Sequence, residues 1–417
     1  MSDWFEDLPP QWAVTRLKNV VEDVRTGVWG TDANGGPDDI ACVRVADFDR
    51  PKMGLKEVTT LRSVPEGDRA GRLLKRGDIL LEKSGGTDLN PVGFSVMFDG
   101  DYPAVSSNFI ARLRVRAQHS ARYWLYCLAA SYATRRTERS VRRTTGIQNL
   151  DQNEFFNEQF PAPPLDEQRA IANYLDRETA QIDTLIAEQQ RLIELLDERR
   201  SAAFRQAFPA SPATALRRFV SSQRPLTYGI LQCGEPYPDG VPYVGPSDME
   251  TDGRSPRLAD LRRTSPEIAA QYSRSVLRSG DVVVSIGPAY GKIALLSDEL
   301  SGANLTQDTV RVDCNRSTLD PNFLVRLLQS PQVADFWDMQ ITGATFRRLN
   351  LGTLGLTPVP ILPLDEQRRI VAELDEVTSK IDTLIAEAER FIELSKERRS
   401  ALITAAVTGQ IEIPGVA

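Results

Sequence analysis

The heptapeptide IDTLIAE occurs twice in the chain, at Ile182–Glu188 and at Ile381–Glu387. Reading outward from each copy extends the match to 39 aligned positions without a gap. PLDEQRAIANYLDRETAQIDTLIAEQQRLIELLDERRSA begins at Pro164, and PLDEQRRIVAELDEVTSKIDTLIAEAERFIELSKERRSA begins at Pro363. Two-thirds of these positions are identical, and the offset is 199 residues throughout. The same offset relates Thr15–Val21 (TRLKNVV) to Thr214–Val220 (TALRRFV). A unit of this length is a domain, not a solenoid repeat, so the chain is one domain-sized unit written twice, and antiparallel pairing of its copies would give an internal pseudo-twofold.

Both matched segments read as long helices. In the second, Ile370, Leu374, Val377, Ile381, Leu384, Ala388 and Phe391 alternate by three and four. In the first, Ile171, Leu175, Ile182, Leu185 and Leu192 do the same, with Glu178 and Gln189 interrupting. This is a coiled-coil seam, widened by Ile186, Ile193, Ile385 and Ile392. Prolines precede each start, and the LDE triplet puts acids in the first turn, where the helix dipole favours them. At about 1.5 Å per residue each helix spans about 60 Å. Antiparallel pairing with one module at each end is the simplest closed arrangement; the alternative is that each helix packs only on its own module.

The modules, roughly residues 10–160 and 212–362, read as mixed α/β. GDILLEKSGG (Gly77–Gly86) and GDVVVSIGPAYGKIALL (Gly280–Leu296) each set a Gly-Asp turn before a strand-like run. A second strand follows, AVSSNFIARLRV from Ala104 and ANLTQDTVRVDC from Ala303, then an amphipathic helix from Ala121 or from Pro321. Each module ends in a basic loop containing threonine, RRTTGIQNL (Arg142–Leu150) or TGATFRRLNL (Thr342–Leu351). The Gly-Asp turns are 203 residues apart, so insertions fall inside the modules while the helices keep their length. The expected organisation is residues 1–163 as first module, 164–208 as first helix, 209–362 as second module, and 363–417 as second helix and tail.

Chemistry for catalysis is scarce. The single histidine, His119, offers neither a zinc cluster nor an acid–base pair, and SGGTDLNPVG (Ser84–Gly93) lacks the ending of a phosphate-binding loop. Glu82 and Lys83 in DILLEK are adjacent and face opposite sides of a strand, so a metal-nuclease reading is set aside for a structural one. Cys42, Cys127, Cys233 and Cys314 lie far apart without metal spacing, which suits reduced thiols in a cytoplasmic protein. No run is apolar enough to cross a membrane. The net charge of −7 does not advertise nucleic-acid binding, yet charge is segregated. From Ala104 to Gly146, Arg112, Arg114, Arg116, Arg122, Arg135, Arg136, Arg139, Arg142 and Arg143 stand against Glu138 alone, either a solvated face or a phosphate-binding one.

Two divergent modules, each followed by PLDEQR and a long helix closing on ERRSA, resemble the specificity subunit of type I restriction–modification systems. AAVTGQIEI at Ala405–Ile413 resembles that family's C-terminal signature. The resemblance implies two target-recognition domains, each reading half of a split DNA site, on helices that space them and dock two modification subunits. Those partners would carry S-adenosylmethionine and methylate adenine. Restriction subunits using ATP and Mg would join to make the nuclease, and this chain would hold no cofactor, no metal and no catalytic residue. The favoured DNA contacts are Arg142, Arg143, Thr145 and Gln148 in the first module and Thr345, Arg347 and Arg348 in the second. Lys83, Ser84, Ser285 and Lys292 rank next, and Asn108 and Gln307, which follow equivalent strand signals, could equally stabilise turns. Arginine and glutamine suit bidentate pairing with guanine and adenine, while phosphate contact or solvation stays open for each. A coiled-coil scaffold with protein-binding modules is the alternative from another class.

Overall fold

The computed structural model describes residues 4–5, 8–144, 147–208, 212–341 and 347–414. The chain folds as two units, Met1–Gln190 with Glu389–Ala417, and Arg191–Ala388. The division runs through both long helices, Leu165–Ala207 and Leu364–Val407, so each unit holds one module and part of each helix.

In the first unit, a four-stranded antiparallel sheet runs in the order Ser95–Met97, Ile79–Glu82, Ile110–Val115, Val21–Thr26. A second sheet pairs Ala104–Ser106 in parallel with Asp39–Val43 and continues through Leu61–Ser63 to Thr31–Asp32. The second unit repeats this plan. Ile293–Leu295, Val282–Ser285, Thr309–Val312 and Thr227–Tyr228 form the antiparallel sheet, and Asn304–Leu305 lies parallel to Val241–Val244. The Gly-Asp turns are anchored alike. Arg114 donates twice to the Asp78 carboxylate, at 2.8 and 2.7 Å, and Arg224 donates twice to Asp281, both at 2.8 Å. Both acids are nearly fully buried, where an ionised carboxylate needs a partner.

The helices of the modules depart from the sequence expectation. Ala121–Ala133 is not amphipathic but enclosed, with Tyr123 through Leu128 all buried in the first core. Its counterpart is two helices, Pro321–Leu328 and Pro331–Ile341, because Pro331 disfavours helical geometry at Ser330.

The repeated PLDEQR motif has a structural cause. Gln168 is 1% exposed; its Nε2 donates to Pro163 O at 2.8 Å and its Oε1 accepts from Ser120 N at 2.9 Å. Gln367 is likewise 1% exposed, donates to Leu362 O at 2.9 Å and accepts from Asp320 N at 2.8 Å. In each unit one glutamine therefore ties the helix start to the segment just before it and to the N-terminus of a module helix. Arg122–Asp176 (2.6 Å) and Arg326–Asp375 (2.8 Å) add a matching pair two turns further on.

One row of covered or half-covered positions runs along the first long helix through Leu175, Thr179, Ile182, Ile186, Gln189, Ile193, Leu196 and Arg200. The matching row of the second runs through Leu374, Thr378, Ile381, Ile385, Ala388, Ile392, Ser395 and Arg399. Both series alternate by four and three. Leu185, Leu192, Val377, Leu384 and Phe391, expected in the seam, remain 36–44% exposed. The expected and the covered series share Leu175, Ile182, Leu374 and Ile381 and differ only at alternate positions, where a leucine or phenylalanine row and an isoleucine row lie one residue, about 100°, apart. The isoleucine row is the covered one, and Arg200 and Arg399 continue it. Within the first unit Asp183 meets Arg399 at 3.0 Å, and within the second Asp382 pairs with Arg200, the same pair displaced by the repeat.

Candidate nucleic-acid interface

The first unit gathers residues from two distant stretches onto one small sheet. Strand Val141–Thr144 pairs with Ile147–Leu150, and that strand pairs with Ser84–Gly85, setting Gln148 opposite Gly85 and Asn149 opposite Ser84. The loop expected at 142–150 is thus a hairpin. Arg142 pairs with Glu154 and lies 3.6 Å from Asp151, while Arg143 lies 3.4 Å from Asp88; their side chains remain 57% and 68% exposed. Gln148 is instead turned inward, 7% exposed, with its Oε1 accepting from Val92 N at 3.3 Å. Side chains alternate along a strand, so Gln148 shares the inner face with Leu150 and leaves Ile147 outside. Ser84 Oγ donates to Asn149 Oδ1 at 2.7 Å, and Lys83 is half-buried beside it. Thr145 and Thr345 lie outside the described residues.

In the second unit Leu349 N donates to Ile286 O, as Leu150 N donates to Lys83 O in the first. The segment beginning at Arg347 therefore occupies the hairpin's place. Arg347 reaches Asp338 at 3.3 Å; Arg348 pairs with Asp308 at 2.8 Å and donates to Gln307 O at 3.1 Å. Ser285 is fully buried, its hydroxyl donating to Ala289 O and accepting from Lys292 N, both at 2.9 Å. Lys292 Nζ donates to Pro246 O at 3.0 Å and Met249 O at 2.7 Å. These two residues, expected as second-rank contacts, hold a turn together and would have to release it to meet a phosphate.

The run of nine arginines does not make one basic face. Arg112 is 2% exposed and pairs with Asp23; Arg114 serves Asp78, Arg122 serves Asp176, Arg135 serves Glu138, and Arg136 stacks 4.3 Å over Trp4. Strand and helix neighbours point in different directions, so sequence clustering dispersed in space. Among the described residues no cluster of His, Cys, Asp and Glu is fit to hold a metal, and no helix is long and apolar enough to cross a membrane.

A cavity of about 460 Å³ opens beside the hairpin's sheet in the first unit, lined by Trp29, Arg44, Glu82, Ser84, Asn108 and Phe109 among others. Trp29 and Phe109 are 39% and 42% exposed, and Arg62 stacks 4.4 Å over the Trp29 ring. Glu82 is buried, and its Oε2 accepts from Arg50 Nη2 at 2.7 Å. Burial pushes the Glu82 carboxyl above the usual range against the opposing Arg50 charge. None of the aromatic wall was foreseen. The available signal was a tryptophan inside the glycine-rich polar stretch TGVWGTDANGG (Thr26–Gly36), where no core requires one.

Two unlike mixed α/β modules, held in one repeated frame, define a recognition protein more than an enzyme. The chain belongs to the family described as the type I restriction modification DNA specificity domain, which matches residues 60–195 and 235–393. It is thus the DNA-recognition subunit of a type I restriction system and is not itself a catalyst. It is 24% identical over 357 residues to the Type I restriction enzyme EcoBI specificity subunit of Escherichia coli, covering 77% of this chain and 74% of that one. A putative type I restriction enzyme MjaX specificity subunit of Methanocaldococcus jannaschii is 19% identical over 95% of this chain and 94% of its own. Among solved structures, a chain from a study of complex assembly and conformational transition of a type I R-M system superposes with a TM-score of 0.76. The identity is 18%, over 97% of this chain and all of that one. The HsdS subunit from Thermoanaerobacter tengcongensis gives 0.55 at 18% identity, over 97% and 98% of the two chains. At these identities the superpositions speak for the fold alone.

Proposed function

We propose that the chain reads a split DNA site, one half with each module, and spaces the halves with its two long helices paired antiparallel as a coiled coil. The observation that carries this reading is the duplicated frame. The glutamine clamp, the arginine–aspartate brace and the Asp183–Arg399 and Asp382–Arg200 pairs recur in both units, while the surfaces beside them differ. A shared frame with unlike readers suits an asymmetric target of fixed gap. Phosphate contacts from Arg142, Arg143, Arg347 and Arg348 would position each module, with a few side chains reading base edges.

The helices also carry an apolar face that the fold does not use. Leu185, Phe391 and Leu394 are 42%, 42% and 54% exposed in the first unit. Their equivalents Leu384, Leu192 and Leu195 are 44%, 40% and 46% exposed in the second. Two equivalent apolar faces suit two copies of one partner. We assign them to two modification subunits, which would bring S-adenosylmethionine for adenine methylation; restriction subunits with ATP and Mg would join that assembly.

The test is module exchange. Residues 10–160 are replaced by the corresponding module of another family member, the chain is expressed with its modification partner, and methylated motifs are read by single-molecule sequencing. One half of the motif should change and the other half and the gap should stay. Change in both halves, or in neither, refutes independent readers.

A further inference from the structure

The cavity beside the hairpin is concave, whereas base-edge readout requires something that enters a groove. A base that this cavity recognises must therefore come to it. Its chemistry suits a flat heteroaromatic ring: two half-exposed aromatic side chains, Trp29 and Phe109, line it together with polar groups. Asn108 makes no side-chain hydrogen bond among the described residues, so both its donor and its acceptor are available. Gly85 keeps the interior open. A Cβ there would lie 3.9 Å from both Glu82 Oε1 and Phe109 Cδ1, so any longer side chain would enter the space between carboxylate and ring. Its φ of 110° also disfavours every residue with a side chain. The strand carrying Ser84 and Gly85 is the one that pairs with the arginine hairpin, so a duplex held by that hairpin lies beside the opening.

We propose that this cavity receives one amino-bearing base, adenine or cytosine, turned out of the DNA stack at the first half-site. Trp29 and Phe109 supply stacking surface, Asn108 meets the hydrogen-bonding edge, and Glu82 accepts from the exocyclic amino group. The proposal rests on the DNA-reading role above and concerns the first module only. In the second, Asp308 stands at the Phe109 position and is bound by Arg348, and Ser285 replaces Glu82 with its hydroxyl turned onto Ala289.

The test uses the chain assembled with its modification subunits and duplexes that each carry one mismatch, made by changing the opposite strand only. A base already unpaired costs less to extrude, so binding should tighten about ten-fold at one first-half position holding adenine or cytosine. The double variant Trp29→Ala, Phe109→Ala should bind the matched duplex more weakly, still discriminate at the second half-site, and lose that gain. A gain that survives the variant, a gain at thymine or guanine in place of adenine or cytosine, or no gain at any first-half position overturns the proposal. Absence of sequence-dependent binding by the unaltered assembly would overturn the DNA-reading role as well, which separates the two failures.

Discussion

The two modules differ most where they are built most alike. Val282–Ser285 copies Ile79–Glu82 in sheet order and partner strands, yet Glu82 binds Arg50 under an open cavity while Ser285 closes a turn onto Ala289. One residue past Asn108 stands Phe109, half-exposed; one past Gln307 stands Asp308, bound to Arg348. The strands and their buried acids are held constant because they carry the core. The residues at their ends have no core to serve and are free to differ with the DNA each module meets.

This contrast breaks first if the frames are not equivalent. Asp78→Ala and Asp281→Ala each leave a guanidinium without its buried carboxylate, a change that costs about 3–5 kcal/mol. Equilibrium denaturation should show a clear loss at both, the smaller at Asp281, because Arg224 keeps Asp313 at 3.2 Å. A neutral effect at either position would mean that the two Gly-Asp turns are not one device used twice.

A smaller effect sharpens the difference between the loops. Arg142→Ala with Arg143→Ala, and separately Arg347→Ala with Arg348→Ala, should each flatten the salt dependence of DNA binding by the assembled complex, by up to about one unit of slope per lost phosphate contact. All four arginines face a carboxylate, but Arg348 is the least exposed of them, at 45%, and also donates to Gln307 O, so the second pair should lose less than the first. Equal losses would show that Arg348 leaves Asp308 to meet a phosphate. Unchanged binding at every salt concentration would return all four to plain solvation.

The smallest effect concerns the buried carboxylates. Glu82 has a raised pKa in the fold, from burial above all, with Arg50 opposing. Between its ordinary value of 4.5 and the raised one, the folded state binds more protons than the unfolded state. Stability from this group is therefore greatest at low pH and falls as pH rises through that window. Glu82→Gln should remove the falling component, so that the variant-minus-parent difference in melting temperature increases from the acid side of the window to the neutral side. A difference flat with pH would mean that Glu82 is not strained by burial. Ser285→Ala, with no titrating group, should give a flat difference.

The repeat, the helix starts after Pro164 and Pro363, the Gly-Asp strands and the equivalence of the modules were all legible in the sequence. Each is a local pattern: periodicity, a turn residue before a β-branched run, or identity at a constant offset. The surroundings of the candidate DNA contacts were not legible in the sequence. Gln148 faces inward and Lys292 is spent on two carbonyls, because a strand's inner face and a turn's closing partner depend on residues far away in the chain. The cavity draws Trp29, Arg44, Glu82 and Phe109 from four separate segments, none of which carries a motif for it.

The long helices divide the two kinds of information most cleanly. Their sequence alone determined that they are helices, that they are copies, and that their apolar residues recur every seven. Which of two adjacent apolar rows is covered was decided in three dimensions. Leucine and isoleucine rows one residue apart satisfy the same repeat, so hydrophobic pattern leaves their choice nearly degenerate. Gln168, Leu175, Gln367 and Leu374 lie on positions that both rows share, so the helix starts leave the choice open. The pairs Asp183–Arg399 and Asp382–Arg200 fall on the isoleucine side, because Arg399 and Arg200 continue that row and each reaches a carboxylate far away in the chain.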